Sequence, residues 1–594
     1  MSSLELGVIG NCQISALVNR RGRIVWSCFP RFDGDPVFCS LLANDEEPEA
    51  GFFDFELEDL VESRQQHVTN TPILETILTD KNGGAMKIVD FAPRFEQFGR
   101  HYRPTMIIRH LVPVAGAPRV RVRLRPAKNY GSGRPDITFG SNHIRYLCAG
   151  ITLRLTTDAS LSHVLDEYPF VLNRPMTFVL GPDESLRESV SSTGRMFFGQ
   201  TRDYWHRWVR TLSIPFEWQE AVIRAAIALK LCTFEDTGAL VAAMTTSVPE
   251  APDSERNWDY RYCWLRDSFF VVHALNRLGA TNTMEAYLRY ILDVAAAADG
   301  GRLQPVYGIG GESHLPERIV ESLPGYRGMG PVRVGNQAYE QIQNDVYGSV
   351  IMSATQFFFD RRLSVTGDTR QFELLEALGE RARELYKAPD AGIWEYRGRA
   401  RVHTFSSLMC WAGCDRLARI GVQLGHTDRS RRWSRIAEEI RDEILANGWN
   451  SERGCFVDSF GGRDLDASML LVHELGFLPA DDPRFVGTVK AVEDELLQDG
   501  YVFRYRAADD FGEPESAFNI CTFWYINALA ALGRKEEARE LFGQMLERRN
   551  FLGLLAEDLN PLTGEQWGNF PQTYSMAGII NGALRLSQTW ETAF

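Results

Sequence analysis

Two glutamates in similar surroundings, far apart in the sequence, could together carry out acid–base chemistry. Glu395 lies in Gly392–Arg397 and Glu557 lies in Leu554–Asn560, and both segments fall between predicted helices. Two carboxyl groups that face each other across a pocket are the minimum equipment for hydrolysing a glycosidic bond. We therefore predict that the fold brings these two side chains to one rim.

The neighbours of each glutamate suggest how the two roles divide. Glu395 lies between Trp394 and Tyr396. Packing against aromatic rings desolvates a carboxyl group and favours its protonated form, which a general acid needs. Glu557 follows the apolar run Leu554–Ala556, and a general base there must stay ionised and hold a water molecule. Either glutamate alone is more simply explained as a turn carboxylate, so the prediction depends on the pair meeting at one rim.

Two further segments carry residue types that bind sugars. Asn257–Asp267 is rich in aromatic and charged residues, and Pro331–Asp345 carries many amide and charged groups in an apolar setting. Aromatic faces stack on the C–H faces of a sugar, and ionised groups bind its hydroxyl groups. The alternatives are a core aromatic cluster with a helix N-cap at Asp267, and an N-capped helix with a solvated face. The candidate substrate-binding residues are Trp258, Tyr260, Trp264, Arg266, Asp267, Gln343, Asn344, Asp345 and Trp394.

The elements that must position these residues are mainly helices. Beyond residue 216 the apolar residues recur with the helical period, as in Trp218, Val222, Ala225 and Leu229. Six hairpins of helices predict a closed double ring, an (α/α)6 barrel, and an open solenoid is the alternative. The predicted helices are 216–231, 267–278, 282–298, 337–359, 370–386, 405–423, 430–446, 464–475, 482–498, 515–532, 534–547 and 571–588.

The connections between these helices differ in length and composition. Those that follow even-numbered helices are short and polar, such as Gly279–Thr281 and Gly425–Asp428. Those that follow odd-numbered helices are mostly long and rich in Trp, Tyr, Arg, Asp and Gly. In an up-down ring all the long connections lie at one end, and long loops of this composition are usually functional. Glu395 and Glu557 both fall in such connections.

The first third of the chain has a different pattern. Arg119–Arg125 and Ile151–Thr156 alternate polar and apolar residues with a period of two. Such alternation is typical of strands with one buried face, and repeated short strands predict an antiparallel β-sandwich. We predict three parts: the sandwich at 1–198, a linker helix at 199–215 and the barrel at 216–594.

Composition excludes several classes of function. The chain has 594 residues and a formal net charge of −14, which argues against nucleic acid or an anionic membrane as a partner. No apolar run reaches a membrane span, and the first residues do not form a secretion signal. The ten cysteines are scattered without a C-x-x-C pair, which favours reduced thiols and a cytoplasmic location. The histidines show no metal-binding spacing, so we predict neither a metal nor a cofactor. The sequence leaves the oligomeric state open, a homo-oligomer included.

Together these motifs resemble glycoside hydrolase family 15, which contains glucoamylases and bacterial trehalases. Trp264–Asp267 is similar to the W-x-R-D clamp of that family, Trp394-Glu395 to its general-acid motif, and Leu555–Asp558 to its general-base segment. Gly7–Asn11 and Phe29–Asp33 resemble the β-domain of the trehalase-like branch. The resemblance covers nearly the whole chain.

The resemblance implies an inverting hydrolysis of an α-glucoside. Glu395 would protonate the glycosidic oxygen and Glu557 would deprotonate the attacking water, while Arg266 and Asp267 would hold the outer hydroxyls of the glucose being released. The inverting geometry predicts carboxyl groups ~6.5–9.5 Å apart. Tyr396 stands where many glucoamylases have a second acidic residue, which leaves the leaving-group contacts undefined.

The resemblance implies a small glucoside as the substrate, and three alternatives to trehalose hydrolysis remain. The trehalase-like N-terminal segment favours α,α-trehalose, and malto-oligosaccharides or short α-glucans are the second choice. A disaccharide phosphorylase would need only one general acid and a phosphate site. A non-catalytic sugar-binding protein would keep the aromatic clamp and would not need both glutamates.

Overall fold

The computed structural model describes residues 2–298, 301–591 and 593. Met1 and Phe594, the outer ends of the two predicted domains, lie outside the described residues. Within these ranges the chain forms a β-sandwich followed by a ring of helices, so the predicted fold class is confirmed.

The N-terminal part consists of strands with alternating or fully buried side chains. The strands are β1 Leu6–Gly10, β2 Ser15–Asn19, β3 Ile24–Phe29, β4 Asp35–Phe38, β5 Phe52–Leu57, β6 Leu60–His67, β7 Leu74–Asp80, β8 Ala85–Phe91, β9 Phe95–Gln97, β10 Arg100–Tyr102, β11 Ile107–Ala115, β12 Arg119–Arg125, β13 Asp136–Phe139, β14 His143–Cys148, β15 Ile151–Thr157, β16 Phe170–Val171 and β17 Met176–Pro182. One sheet has the order β1-β2-β3-β5-β12-β16, with β4 paired to β3. The other has the order β13-β14-β15-β17-β11-β8-β7-β6.

The two sheets pack face to face through large apolar side chains. Phe53 and Phe55 of β5 meet Phe178 of β17 at ring-centroid distances of 6.2 and 4.9 Å. Between the sheets lies one fully buried ion pair, in which Arg109 Nε donates to Asp90 Oδ1 at 2.8 Å. The Arg109 guanidinium also donates to the carbonyl oxygen of Phe53, so the buried charge has several partners.

The C-terminal part is helical, as its 3.6-residue period predicts. The helices of the described chain are α1 Leu161–Leu165, α2 Val190–Arg210, α3 Gln219–Leu231, α4 Leu265–Arg277, α5 Thr281–Ala297, α6 Asp345–Phe359, α7 Thr369–Leu385, α8 Thr404–Gln423, α9 Thr427–Asn447, α10 Leu471–Glu474, α11 Pro483–Glu495, α12 Asn519–Ala531, α13 Lys535–Glu547 and α14 Thr573–Leu586. Short strands flank several of them: Thr233–Phe234, Ala239–Leu240, Cys263–Trp264, Val306–Tyr307, Arg318–Ile319, Arg333–Val334, Trp449–Asn450, Cys455–Phe456, Leu497–Gln498, Tyr501–Val502, Ala517–Phe518, Asp558–Leu559 and Gln566–Trp567.

The helices form an inner and an outer ring. The inner ring runs α4, α6, α8, α10 with the 3-10 turn before it, α12 and α14, and α14 packs against α4 to close the circle. Inner helices are apolar almost all round: α12 is buried from Asn519 to Leu529. Outer helices such as α9 bury only one face, which carries Trp433, Ile436 and Ile440. Burial on all sides and burial on one face are the patterns expected for inner and outer positions.

Some predicted helix bounds are wrong for identifiable reasons. The segment predicted at 464–475 is a 3-10 turn, Ala467–Leu470, followed by the one-turn helix α10. The helix predicted from residue 515 begins at Asn519, because Ala517–Phe518 pairs with Asp558–Leu559 as a strand. The linker helix spans Val190–Arg210, so it begins before residue 199. The division of the chain at residues 198 and 215 stays a prediction.

The sandwich supports the barrel loop that precedes α4. The indole N–H of Trp26 donates to the carbonyl oxygen of Met244 at 2.8 Å. Arg261, which is fully buried, pairs with Asp259 at 2.7 Å and donates to the carbonyl oxygen of Gly34 at 2.8 Å. The N-terminal domain therefore fixes the backbone on which the aromatic loop 257–267 is built.

Across the described residues we find no helix with the length and hydrophobicity that a bilayer span requires. Nor, within those ranges, do three or more His, Cys, Asp or Glu side chains gather in a way that could hold a metal ion. The ten cysteines are unpaired, and nine of them are buried.

Candidate active site

The long connections of the barrel enclose one cavity at the end of the ring. Those preceding α4, α6, α8, α12 and α14 contribute to its wall, as the asymmetry of the loops predicts. The space inside it is about 860 Å³, open solvent at its mouth included. Glu395 and Glu557 both line it, so the two glutamates lie on a single cavity as expected from the sequence.

Glu395 is held in a fixed orientation by its neighbours. Its Oε1 accepts a hydrogen bond of 2.6 Å from the indole N–H of Trp264, and Nη2 of Arg266 lies 3.4 Å away. The backbone of Glu395 has φ 61°, a left-handed conformation that is uncommon outside glycine and costs free energy. The side-chain amide of Gln341 donates to the Glu395 carbonyl oxygen at 3.1 Å and stabilises this turn. The loop is therefore shaped to present this carboxyl group.

Arg266 and Asp267 lie in the first turn of helix α4, and each has a polar side-chain atom without a hydrogen-bond partner in the protein. Among the described residues, Arg266 Nε, Asp267 Oδ2 and the Tyr574 hydroxyl are buried without a hydrogen-bond partner, and all three side chains line the cavity. Arg266 Nε and Asp267 Oδ2 are 3.7 Å apart, too far for a hydrogen bond. Buried polar groups are normally paired, so these atoms are available to the hydroxyl groups of a ligand.

Burial also changes the protonation of Asp267. Desolvation raises the pKa of its carboxyl group to about 7, although the Arg266 guanidinium opposes the shift. The group therefore titrates near neutral pH in the empty cavity. It could act either as a hydrogen-bond acceptor or as a donor toward a sugar hydroxyl.

The aromatic candidates line the cavity, and their polar edges are engaged. The indole N–H of Trp394 donates to Asp466 at 2.8 Å, and that of Trp258 donates to Glu250 at 3.0 Å. The ring of Tyr260 packs edge-on against Trp264 with centroids 5.2 Å apart. Each ring is thus fixed while part of its surface faces the cavity, which suits stacking on a sugar.

Gln343, Asn344 and Asp345 are not among the residues that line the cavity, and their contact with a ligand stays a prediction. Gln343 Oε1 accepts from Nη1 of Arg266 at 2.8 Å, and Asp345 Oδ2 lies 3.6 Å from the same nitrogen. The side-chain amide of Asn344 is occupied by the carbonyl oxygens of Leu385 and Ala388. Gln343 and Asp345 therefore position Arg266, whereas Asn344 joins α6 to the loop after α7.

Glu557 lies directly before the short strand Asp558–Leu559 and is almost completely buried. Its backbone carbonyl accepts from the N–H of Asn519 at 3.0 Å, which ties it to the start of α12. A side chain at Gly568 would place Cβ 2.6 Å from the Cβ of Glu557, so only glycine allows this close packing. The glutamate is therefore clamped between two neighbouring segments.

Charged neighbours of both signs surround the Glu557 carboxyl group. Burial raises its pKa well above the usual value and the nearby Glu250 carboxylate raises it further, whereas a hydrogen bond from Tyr260 and the Arg504 guanidinium lower it. Asp558 next to it is also buried and has a raised pKa for the same reason. A base in this setting has a high proton affinity, and Tyr260 and Arg504 supply the groups that favour its ionised form.

Sequence reasoning missed two charged residues of this wall, Glu250 and Arg504. Arg504 Nη2 donates to Glu250 Oε2 at 2.6 Å across 254 residues of sequence. Glu250 lies in Pro249-Glu250-Ala251 and Arg504 lies in Phe503-Arg504-Tyr505, and neither segment is a recognisable motif. The only signal was their position in the long connections preceding α4 and α12.

Comparison with known families places the whole chain among carbohydrate-active proteins. Residues 218–584 match the model of "Glycosyl hydrolases family 15", and residues 4–157 match the model of "Trehalase-like, N-terminal". Both glutamates and every candidate binding residue fall within the first of these matches.

Individual relatives align over nearly the full length. The chain is 32% identical to a trehalase from Thermoplasma volcanium over 98% of this chain and 93% of the relative. It is also 32% identical to a trehalase from Mycobacterium tuberculosis, over 99% and 90% of the two chains. A bacterial glucoamylase solved in complex with acarbose superimposes with a TM-score of 0.71 over 98% of this chain and 94% of that one, at 14% identity. That last similarity demonstrates the shared fold.

Proposed function

This chain belongs to glycosyl hydrolases family 15, and we propose that it hydrolyses α,α-trehalose with inversion at the attacked carbon. It is a glycoside hydrolase by family membership. The choice of trehalose is supported by relatives named trehalases, which align with both the sandwich and the barrel. The observation that carries the reaction type is the presence of Glu395 and Glu557 on one cavity.

In the proposed reaction the two glutamates act on opposite sides of the scissile bond. Glu395 gives its proton to the glycosidic oxygen as the bond from C1 to that oxygen breaks, and the leaving glucose departs with the proton. Glu557 accepts a proton from a water molecule whose oxygen forms the new bond to C1. At the end Glu395 is ionised and Glu557 protonated, and exchange with solvent restores both.

The remaining cavity residues would hold the glucose that is attacked. Arg266, Asp267 and Tyr574 present the unused polar atoms, and Gln343 and Asp345 keep the Arg266 guanidinium in place. Trp264 holds Glu395 through its indole N–H. Binding of sugar hydroxyls by these groups would satisfy atoms that otherwise remain buried and unpaired, which favours the complex.

A substrate panel tests this proposal. Trehalose, maltose, isomaltose and maltotriose are each incubated with the protein, with and without inorganic phosphate, and free glucose is measured. We expect trehalose to be the preferred substrate and phosphate to be unnecessary. Preference for maltotriose would favour a glucoamylase-type activity, strict dependence on phosphate with release of glucose phosphate would favour a phosphorylase, and no turnover would favour a sugar-binding protein.

Two properties of the molecule outside the site stay predictions. The unpaired cysteines support a reducing compartment such as the cytoplasm, and fractionation of the source cells would test it. A homo-oligomer is tested by light scattering of the purified protein.

A further inference from the structure

A carboxylate outside the catalytic pair fastens two loops at the mouth of the cavity. Asp510 Oδ2 accepts hydrogen bonds from the backbone N–H groups of Arg397, at 2.7 Å, and Gly398, at 2.9 Å. These amides follow Glu395 by two and three residues. A Cβ at Gly398 would lie 2.3 Å from Asp510 Oδ1, so the approach of this carboxylate depends on glycine at position 398.

The same segment is fastened on its other side to the aromatic loop. Both oxygens of Asp509 accept from the terminal nitrogens of Arg256, at 2.6 and 2.5 Å, and the Gly512 carbonyl accepts from the same guanidinium at 2.9 Å. The Phe511 ring meets Trp258 edge-on with centroids 5.4 Å apart. The turn 509–512 thus bridges the loop of the proposed acid and the loop of the aromatic clamp.

Arg397 closes this arrangement into a ring. Its guanidinium lies 4.3 Å from the centre of the Trp258 ring and pairs with Glu317 at 2.9 Å. Arg333, on the strand next to Glu317, pairs with the same carboxylate at 3.0 Å. We call this ring the collar; its members are Arg256, Trp258, Glu317, Arg397, Asp509, Asp510 and Phe511.

Six members of the collar, all except Glu317, line the same cavity as the clamp. Phe511 is 38% exposed, whereas Arg266 and Asp267 of the clamp are 6% and 7% exposed, and all three line the same cavity. A glucose held by the clamp would therefore lie deepest, and the leaving glucose would lie within the collar. Phe511 and Arg397 both line this cavity, and the bonds of Asp510 join the two loops that carry them.

We propose that the bonds from Arg397 and Gly398 to Asp510 limit the substrate to two sugar units by holding the collar closed around the leaving glucose. This rests on the proposed function, since it assigns the collar to the leaving-group side of the same site. Phe511, which is 38% exposed, offers aromatic surface to a pyranose ring, and polar collar residues line the cavity beside it. The occupant of the collar is therefore a single neutral hexose.

The test compares two sugars that differ only by one glucose unit. Maltose and maltotriose share the α-1,4 linkage, and each is measured as a competitive inhibitor of trehalose hydrolysis. For the natural sequence we expect the inhibition constant of maltotriose to exceed that of maltose by at least about tenfold. In Asp510→Ala, which removes the oxygen that accepts both hydrogen bonds, we expect this ratio to fall toward one.

A second variant perturbs the same contact from the other loop. Gly398→Ala places a methyl group against Asp510 and should open the collar in the same direction. Two variants serve as matched controls. Asp481→Ala changes an exposed aspartate, and Gly543→Ala changes a helical glycine with free space around it. Both controls should keep the natural ratio, and thermal unfolding shows that each variant is folded.

The outcomes separate this inference from the proposed function. A ratio near one in the natural protein, or the same ratio in the natural protein and both collar variants, overturns the inference while trehalose hydrolysis stands. If the natural protein does not hydrolyse trehalose, the proposed function is refuted. The collar is then judged by titration calorimetry with the same two sugars, where equal affinities would overturn it.

Discussion

Replacing the proposed acid by its amide separates the two catalytic roles. Glu395→Gln keeps the shape of the side chain, and its amide oxygen can still accept the 2.6 Å hydrogen bond from Trp264. The neighbouring amide of Gln343 and guanidinium of Arg266 remain in place, so the loop should keep its structure. What the variant loses is the proton that the glycosidic oxygen needs.

The size of the loss follows from the contribution of acid–base catalysis. A positioned acid or base typically contributes a factor of about 10²–10⁴, which is about 2.7–5.4 kcal/mol of transition-state stabilisation. We therefore expect Glu395→Gln to lower kcat on trehalose by that factor. Glu557→Gln should lower kcat by a similar factor, because the attacking water would lose its proton acceptor.

A substrate with a good leaving group distinguishes the variants. Fluoride departs from α-glucosyl fluoride without a full proton transfer, so the acid variant should recover much of its kcat on that substrate. The base variant should stay slow, since the water still needs its base. Rates are measured as glucose or fluoride release by both variants and by the natural protein.

Two results would refute this reasoning. The first is an equal loss on trehalose and on glucosyl fluoride for Glu395→Gln, which would show that its carboxyl group does not protonate the leaving group. The second is near-normal turnover of trehalose by either variant, with thermal unfolding showing that both variants are folded.

Three further predictions concern charge. Glu557 acts in its ionised form, and burial and the Glu250 carboxylate raise its pKa. As the pH is lowered, kcat/KM on trehalose should therefore begin to fall at a higher pH than it would with an ordinary glutamate as the base. Glu250→Gln should move this acidic limb of the pH profile to lower pH, and an unmoved limb would contradict the prediction. Asp267→Asn should lower kcat/KM by about 10–150-fold, through loss of a hydrogen bond worth about 1.5–3 kcal/mol, and unchanged kinetics would exclude contact with substrate. Asp90→Asn should lower the free energy of unfolding, measured by urea denaturation, by about 3–5 kcal/mol, because it leaves Arg109 buried without its charge partner. A change below about 1 kcal/mol would be inconsistent with a buried ion pair.

The helical ring was predictable because its signal is local. The period of apolar residues marks α9 or α13 without knowledge of their partners, and turn residues mark the short connections. The bounds near Ala517 were not predictable, since that residue joins a strand with Leu559 that only the folded chain brings near. The one-turn helix α10 follows the 3-10 turn Ala467–Leu470, and the Asp466 side chain caps the start of that turn, so helical structure begins later than residue 464.

The site residues were predictable only where their neighbours in the sequence indicate a function. Glu395 and Glu557 stand beside aromatic or apolar neighbours that mark them, and both line the cavity. Gln343 was predicted as a binding residue from its polarity, and its contact with Arg266, whose guanidinium donates to its amide oxygen, could not be read from the sequence. Glu250 and Arg504 lie in no recognisable motif. Their role depends on the ion pair they form with each other, which only the folded chain brings together.

The central claim is that water attacks trehalose from the face opposite the leaving sugar, and the anomers of the two products test it directly. The protein is mixed with trehalose in H₂¹⁸O, and ¹³C NMR, which distinguishes the anomers and shows ¹⁸O by its isotope shift at C1, follows the first turnovers before mutarotation. Inversion predicts one α-glucose, released unchanged as the leaving group, and one β-glucose that alone carries ¹⁸O at C1. Two α-glucose molecules, with the label in an α anomer, would contradict the account.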